Sequence, residues 1–159
     1  MNVCVIIPVY NEQDFIKKSI ESIVSQTTKP QKVIYVNDGS TDETKNIIRK
    51  FSEQYDWINL IDHKVKKEHE PGKKVVEAFN FGLRNLNIDC DILCKFDGDI
   101  IIPNDYIERI INIFSEKNNI GIAGGNLYIR KGDKWIYENI AAKSHVRGPI
   151  KAYRYSCFK

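Results

Sequence analysis

The sequence predicts an α/β fold in which a mainly parallel central sheet is flanked by helices and a small β-ribbon lies near the C-terminus. Short apolar runs alternate with segments whose apolar residues recur at helical spacing, which is typical of strands that alternate with helices. The chain has 159 residues, of which 42% are hydrophobic, as expected for one globular domain. No apolar run approaches the roughly 20 residues of a membrane-spanning helix. We therefore expect a single domain over residues 1–159.

The first part of the chain predicts three strand–helix pairs. The strands are expected at residues 3–9, 33–36 and 57–61, and the apolar positions of the helices fall between residues 15–24, 47–55 and 75–86. Lys29-Pro30 is expected to end the first helix. Ser40 and Glu43, three residues apart, predict a capping box at the start of the second helix.

The remaining chain predicts one more strand–helix pair and the ribbon. Residues 92–96 are expected to form a strand, and residues 104–116 a helix that buries Ile107, Ile110, Ile111 and Phe114. Residues 120–129 and 134–137, joined at Lys131-Gly132-Asp133, are expected to pair as the ribbon.

Charge and cysteine content exclude some classes of function. The net charge of +3 is too small to indicate a nucleic-acid partner. The last 17 residues carry five basic residues and no Asp or Glu, so this tail either meets a phosphate or an anionic surface, or is a solvated end. Cys4, Cys90, Cys94 and Cys157 form no C-x-x-C pair, which predicts reduced, buried thiols in a cytoplasmic protein.

Polar clusters follow three of the predicted strands. Tyr10-Asn11-Glu12 follows the first strand, Asp38-Gly39-Ser40 the second and Asp97-Gly98-Asp99 the fourth. The carboxyl ends of parallel strands share one edge of the sheet, where α/β proteins bind ligands. The sequence therefore predicts that these three loops form one ligand site.

Asp97 and Asp99 predict a site for a hard divalent cation. Two carboxylates separated by a glycine can surround Mg²⁺ or Mn²⁺, which fills its other positions with phosphate oxygens and water. One alternative is that these carboxylates cap the helix after Pro103. Another is a haloacid-dehalogenase-type phosphatase with Asp97 as nucleophile, although such enzymes expect a threonine soon after the pair and their motif on the first strand.

Other loop residues have both a binding and a structural interpretation. Asp38 can accept hydrogen bonds from a nucleobase or ribose, or belong to an ordinary turn. Tyr10 can stack on a base or cover the sheet edge. Gly72-Lys73 can approach a diphosphate or form a solvated helix start. The spacing of His63, His69 and His145 matches no metal-binding motif, so surface or capping roles are expected for them.

Four ordered blocks resemble the family 2 glycosyltransferases of GT-A fold, a Rossmann-like architecture. They are Val5-Ile6-Ile7-Pro8-Val9-Tyr10-Asn11-Glu12, Val36-Asn37-Asp38-Gly39-Ser40-Thr41-Asp42, Gly72-Lys73 with Phe79-Asn80-Phe81-Gly82-Leu83, and Phe96-Asp97-Gly98-Asp99. His145-Val146-Arg147-Gly148 and Lys151-Ala152-Tyr153-Arg154 resemble the start of that family's acceptor-binding half. The resemblance divides the domain into a nucleotide-diphospho-sugar-binding half, residues 1–102, and the start of an acceptor half, residues 103–159.

The resemblance implies transfer of a sugar from a nucleotide-diphospho-sugar, with UDP as the first choice of nucleotide, to an acceptor with inversion. Carried over by position, the nucleotide-binding residues would be Pro8, Tyr10, Glu12, Asp38, Lys73 and Asp97. Asp99 would be the main ligand of a Mn²⁺ or Mg²⁺ cofactor, with Asp97 facing the metal or ribose. The metal would act as a Lewis acid on the departing diphosphate.

The chain departs from the family pattern at its C-terminal end. Members of the family are longer and take their general base from a carboxylate in the acceptor half, whereas no Asp or Glu follows Glu138 here. We therefore expect only the donor-binding part, which binds nucleotide but transfers sugar poorly or not at all, so a non-catalytic binding module is the alternative. The acceptor, glycan or lipid-linked, is left open, as are peripheral membrane contact and homo-oligomerisation.

Overall fold

The computed structural model describes residues 1–63, 73–142 and 144–158. One six-stranded sheet has the strand order β3-β2-β1-β4-β8-β5, and a separate two-stranded ribbon pairs β6 with β7. The strands are β1 (Val3–Val9), β2 (Lys32–Asn37), β3 (Ile58–Asp62), β4 (Ile92–Phe96), β5 (Ile122–Ala123), β6 (Tyr128–Lys131), β7 (Lys134–Tyr137) and β8 (Ile150–Arg154). The helices are α1 (Ile16–Val24), α2 (Thr44–Gln54), α3 (Lys73–Arg84), α4 (Tyr106–Glu116) and α5 (Tyr155–Phe158).

The central strands are parallel and buried on both faces. β1 pairs in parallel with β2 and β4, and β2 with β3. One face of β1 packs with α1 and α4 in a large core, whereas its other face, through Cys4 and Ile6, packs with Ala78 and Phe79 of α3. Burial on both faces explains why these strands are continuous apolar runs in the sequence. The predicted α/β class, the mainly parallel sheet and the ribbon are thus confirmed.

The C-terminal part of the sheet differs from the prediction. Residues 120–129 do not form one ribbon strand, because Ile122–Ala123 joins the main sheet and Tyr128–Lys131 alone pairs with Lys134–Tyr137. Residues 150–154, interpreted from sequence as part of a basic tail, form β8, which lies antiparallel between β4 and β5. Ile150 and Ala152 are buried there, so this segment is part of the core and not a solvated end.

The prediction of a capping box was wrong. The capping box does not form, because Ser40 Oγ accepts a hydrogen bond from the backbone N–H of Asn11, whereas the N–H of Glu43 donates to Gln13 Oε1 at 3.2 Å. Phe15 precedes α1 and is 53% exposed, and Val75 and Val76 lie in α3 as expected and are exposed.

Cys4, Cys90 and Cys94 are buried free thiols as predicted, whereas Cys157 is exposed. Within the described residues, no helix has the length and apolar character needed to cross a bilayer.

Candidate functional site

A cleft of about 390 Å³ opens at the carboxyl edge of the parallel strands. It is lined by the ends of β1, β2 and β4, one side of α3 and the turn before β8: Pro8, Val9, Tyr10, Glu12, Asp38, Val75, Ala78, Lys95, Asp97, Gly98, Asp99, Gly148 and Pro149. The structure therefore brings together six of the seven residues that the sequence singled out as nucleotide or metal ligands. Lys73 is the seventh, and it begins α3 without lining the cleft. Gly72 and His69 lie outside the described residues.

Reciprocal hydrogen bonds join the loops after β1 and β2. The N–H of Asn11 donates to Ser40 Oγ at 3.1 Å, and the N–H of Thr41 donates back to Asn11 Oδ1 at 2.8 Å. The N–H of Glu12 donates to Thr44 Oγ1 at 2.7 Å. Asn11 has a φ of 53°, a left-handed conformation that asparagine tolerates better than most residues. These two loops consequently form one rigid wall of the cleft.

The carboxylate of Asp38 forms a hydrogen bond with the imidazole of His63. Asp38 Oδ1 lies 3.0 Å from Nδ1 of His63, and both side chains are largely buried. The ring of His63 packs against Phe81 with a centroid separation of 4.9 Å. The histidine thereby fixes the orientation of Asp38, which the sequence did not predict, although His63 directly follows β3 at the same edge of the sheet.

A polar network supports the end of β2 beneath Asp38. Asn37, which is buried, donates from Nδ2 to Asp62 Oδ1 at 2.8 Å and accepts from the N–H of Ser40 at 3.1 Å. Lys45 Nζ lies 2.6 Å from Asp62 Oδ2. Hydrogen bonds from Lys45 and then from Asn37 hold the pKa of Asp62 below its usual range.

Asp97 forms hydrogen bonds with a lysine on β4 and with the turn before β8. Lys95, two residues earlier on β4, donates from its ammonium group to Asp97 Oδ1 and to the carbonyl of Gly148 at 3.2 Å. The N–H of Asp97 donates to the carbonyl of Pro149 at 2.9 Å. Lys95 and Pro149 were not predicted from the sequence, and Gly148 was noted only in the segment that resembles the acceptor half. A lysine within an apolar strand, two residues before Asp97 and hence on the same face, was a usable signal.

Gly98 serves packing in this loop. A Cβ atom at Gly98 would lie 2.9 Å from Val9 Cγ1 and 3.2 Å from Glu12 Cγ. The absence of a side chain therefore lets the loop after β4 approach the end of β1, which brings Asp97 and Asp99 near Glu12.

The cleft is strongly acidic. Burial raises the pKa of Glu12 above its usual range, and the carboxylates of Asp99, Asp97 and Asp42 raise it further. Such a cluster favours a cation and repels an anionic ligand that arrives without one. Among the described residues, no three Asp, Glu, His or Cys side chains are grouped closely enough to hold a metal by themselves. A cation that takes one or two carboxylates and completes its shell with phosphate oxygens and water fits this donor set.

Comparison with known proteins gives consistent matches. The family model described as Glycosyl transferase family 2 matches residues 4–156. "Glycosyltransferase GlyA" of Streptococcus pneumoniae serotype 4 is 31% identical over 144 residues, which are 90% of this chain and 19% of that relative.

Two solved structures show the same fold. The mannosyltransferase PcManGT from Pyrobaculum calidifontis, in complex with GDP-Man and Mn²⁺, superposes with a TM-score of 0.72 at 22% identity, over 98% of this chain and 45% of that one. TarS 1-349 of S. aureus, in complex with UDP-GlcNAc, gives a TM-score of 0.67 at 19% identity, over 98% of this chain and 46% of that one. The chain thus spans about a fifth of the curated relative and less than half of each solved structure.

Proposed function

The chain belongs to glycosyl transferase family 2, and on that premise we propose that its cleft binds a nucleotide-diphospho-sugar whose sugar is transferred to an acceptor hydroxyl with inversion. The observation that carries the proposal is the convergence of Asp38, which follows β2, with Asp97 and Asp99, which both follow β4, on one cleft of about 390 Å³. This is the edge at which open parallel sheets bind nucleotides.

The nucleoside would bind on the rigid wall formed by the loops after β1 and β2. Asp38 would accept hydrogen bonds from the base or ribose, since His63 occupies Oδ1 and leaves the other carboxylate oxygen to the ligand. Tyr10 is 56% exposed at the mouth of the cleft and would stack on the base, with Pro8 beside it. We take UDP as the first candidate and GDP as the second, because the two structural neighbours were solved with UDP-GlcNAc and GDP-Man.

The diphosphate would bind between the loop after β4 and the N-terminal end of α3. Asp99 would be the principal ligand of Mn²⁺ or Mg²⁺, and Lys73 would face the phosphates from the start of α3. When bound, the metal would neutralise the charge that develops on the departing nucleoside diphosphate. The acidic cleft supports this assignment, because the carboxylates of Asp97 and Asp99 beside Glu12 would otherwise oppose the entry of a diphosphate.

Transfer also requires a general base that removes the proton of the acceptor hydroxyl. We assign no cleft carboxylate to that role, because Glu12, Asp38, Asp97 and Asp99 all have a proposed role in donor or metal binding. Residues 103–159 would begin the acceptor side through the turn at Gly148-Pro149, which borders the cleft. The phosphatase alternative is not retained, because the family assignment covers the segment that contains Asp97 and Asp99.

The test is thermal unfolding of the chain with UDP, GDP or dTDP, each with and without Mn²⁺. A ligand that binds only the folded state at about 100 times its Kd adds roughly 2.7 kcal/mol, which is a readable shift. We expect one nucleotide to stabilise the protein mainly when Mn²⁺ is present, and Asp99→Ala to abolish that response.

Asp133→Ala is the matched control, because Asp133 is an exposed carboxylate on the ribbon, away from the cleft. Its response to nucleotide should equal that of the unsubstituted chain. If no nucleotide changes the unfolding temperature, or if Asp99→Ala retains the full shift, the proposed donor site is wrong. Incubation of the stabilising nucleotide sugar with candidate acceptors then separates a transferase from a module that only binds the donor.

A further inference from the structure

Lys95 places a cation inside the acidic cleft. It lies on β4 between two buried residues, its side chain is 15% exposed, and it lines the cleft beside Asp97. Its ammonium group bonds Asp97 Oδ1 and the carbonyl of Gly148. A lysine so enclosed carries a desolvation cost that its acidic partner offsets.

The two carboxylates of the loop after β4 are therefore not equivalent. Asp97 is fixed by Lys95 through its side chain and by Pro149 through its backbone N–H. Within the described ranges, Asp99 has no comparable ion pair with a lysine or arginine. At Asp99 an incoming cation therefore meets a carboxylate that no described lysine or arginine pairs, whereas at Asp97 it shares the carboxylate with the ammonium group of Lys95.

A divalent cation in this loop would compete with Lys95. At Asp97 it would displace the ammonium group from Oδ1 or share the carboxylate with it through Oδ2, and at both carboxylates the positive charge of Lys95 in the same cleft would repel it. A nucleoside diphosphate changes this balance, because its phosphate oxygens supply ligands and negative charge to the metal. The same ammonium group attracts the diphosphate.

We propose that Lys95 is a positioning residue that occupies Asp97 as an internal counterion, so that a divalent metal binds tightly only together with a nucleoside diphosphate. This inference rests on the proposed function and specifies the order in which that site is filled. It gives Lys95 opposite effects on the two ligands: it weakens the binding of metal alone and strengthens the binding of nucleotide alone. A side chain that merely supported the fold would affect both in the same direction.

The experiment measures Mn²⁺ binding in the absence of nucleotide, from the electron paramagnetic resonance signal of free Mn²⁺. Lys95→Met removes the charge and retains most of the volume, Lys95→Arg retains the charge, and Lys134→Met changes an exposed lysine on the ribbon. We expect Lys95→Met to bind Mn²⁺ at least about tenfold more tightly than the unsubstituted chain. The Mn²⁺ affinities of Lys95→Arg and Lys134→Met should be close to that of the unsubstituted chain.

The second measurement is UDP binding by calorimetry in the presence of a chelator. We expect Lys95→Met to bind UDP more weakly than the unsubstituted chain, while Lys95→Arg restores the affinity. The ratio of the Mn²⁺ dissociation constants without and with UDP should consequently fall in Lys95→Met. If Lys95→Met does not fold, Lys95→Gln, which keeps a hydrogen-bond donor without charge, replaces it.

Unchanged or weaker Mn²⁺ binding by Lys95→Met would overturn the inference, and weaker binding of both ligands would assign Lys95 a purely structural role. This failure is distinguishable from failure of the proposed function. If the unsubstituted chain with Mn²⁺ binds none of the nucleotides, the donor site is wrong, yet the comparison of Mn²⁺ binding alone still tests the competition at Asp97.

Discussion

Glu12 shows at the scale of one residue how a binding site reduces the stability of its own fold. Its carboxylate is partly buried beside Asp97 and Asp99, and no side-chain hydrogen bond from another residue in the described ranges compensates for this. Burial and then these neighbouring carboxylates raise its pKa. The folded protein consequently holds a proton on Glu12 at a pH at which the unfolded chain has released it.

The raised pKa of Glu12 makes the stability of the fold depend on pH. Below the ordinary pKa of glutamate, about 4.3, Glu12 is protonated in both states and contributes no difference. As the pH rises through the raised pKa of the folded state, ionisation of Glu12 destabilises the fold. We therefore expect Glu12→Gln to raise the unfolding temperature at pH 7, with a gain that shrinks to nothing near pH 4.

The measurement is the unfolding temperature of both proteins between pH 4 and pH 8, with Glu53→Gln on the exposed side of α2 as the control. A lower unfolding temperature of Glu12→Gln at pH 7 would mean that Glu12 is stabilised by a partner that outweighs the repulsion. Glu53→Gln should leave the pH profile unchanged.

At the scale of one element, α3 lies unusually close to the sheet through Gly82. A Cβ atom at this position would lie 2.6 Å from Ile6 Cγ2 on β1 and 2.9 Å from Val36 Cγ2 on β2. This close contact positions the N-terminal part of the same helix, from which Val75 and Ala78 line the cleft. The glycine is thus required by packing, although it weakens the helix locally.

We expect Gly82→Ala to lower the free energy of unfolding by about 1–3 kcal/mol, the usual cost of overpacking a well-packed core. Helix propensity alone predicts the opposite, a gain of up to about 1 kcal/mol. Urea denaturation of the two proteins decides between the two directions. Combined with Val36→Ala, which removes one of the clashing methyl groups, Gly82→Ala should cost less than the sum of the single changes.

At the scale of the whole molecule, residues near the C-terminus are integrated into the core of the sheet. Arg154, the last residue of β8, donates to the carbonyls of Phe114 at 2.7 Å, Lys117 at 3.0 Å and Ile120 at 3.0 Å. Its guanidinium carbon lies 5.2 Å from the centroid of the Phe114 ring. Arg154 thereby satisfies carbonyls at and beyond the end of α4, where a helix leaves them unpaired.

We expect Arg154→Met to lower the free energy of unfolding by about 2–3 kcal/mol, because it leaves several carbonyls without their charged donor. Since β8 and β4 belong to one sheet, we also expect one transition by both circular dichroism and tryptophan fluorescence. The free energy of unfolding of Arg154→Lys should lie between those of Arg154→Met and the unsubstituted chain. Two separate transitions would show that residues 1–102 fold independently of residues 103–159.

The parallel core was predictable because each of its strands is a local apolar run and each turn carries its own polar residues. The position of Asp38, Asp97 and Asp99 at one edge of the sheet then followed from the parallel strand topology alone. β8 was not predictable in this way, because Lys151 and Arg154 alternate with its apolar residues and its neighbours, β4 and β5, are distant in sequence. The same limit applies to His63 and Lys95, whose roles depend on which carboxylate each one faces after folding.

The reciprocal bonds between the loops after β1 and β2 also constrain how this protein can be altered. Asn11 forms hydrogen bonds with Ser40 and Thr41, and the backbone N–H of Glu12 donates to Thr44. A loop grafted alone from a relative would lose partners on the other loop, even if every grafted residue suited the new donor. A change of nucleotide preference is therefore best attempted by exchanging both loops in one step, as a single cassette.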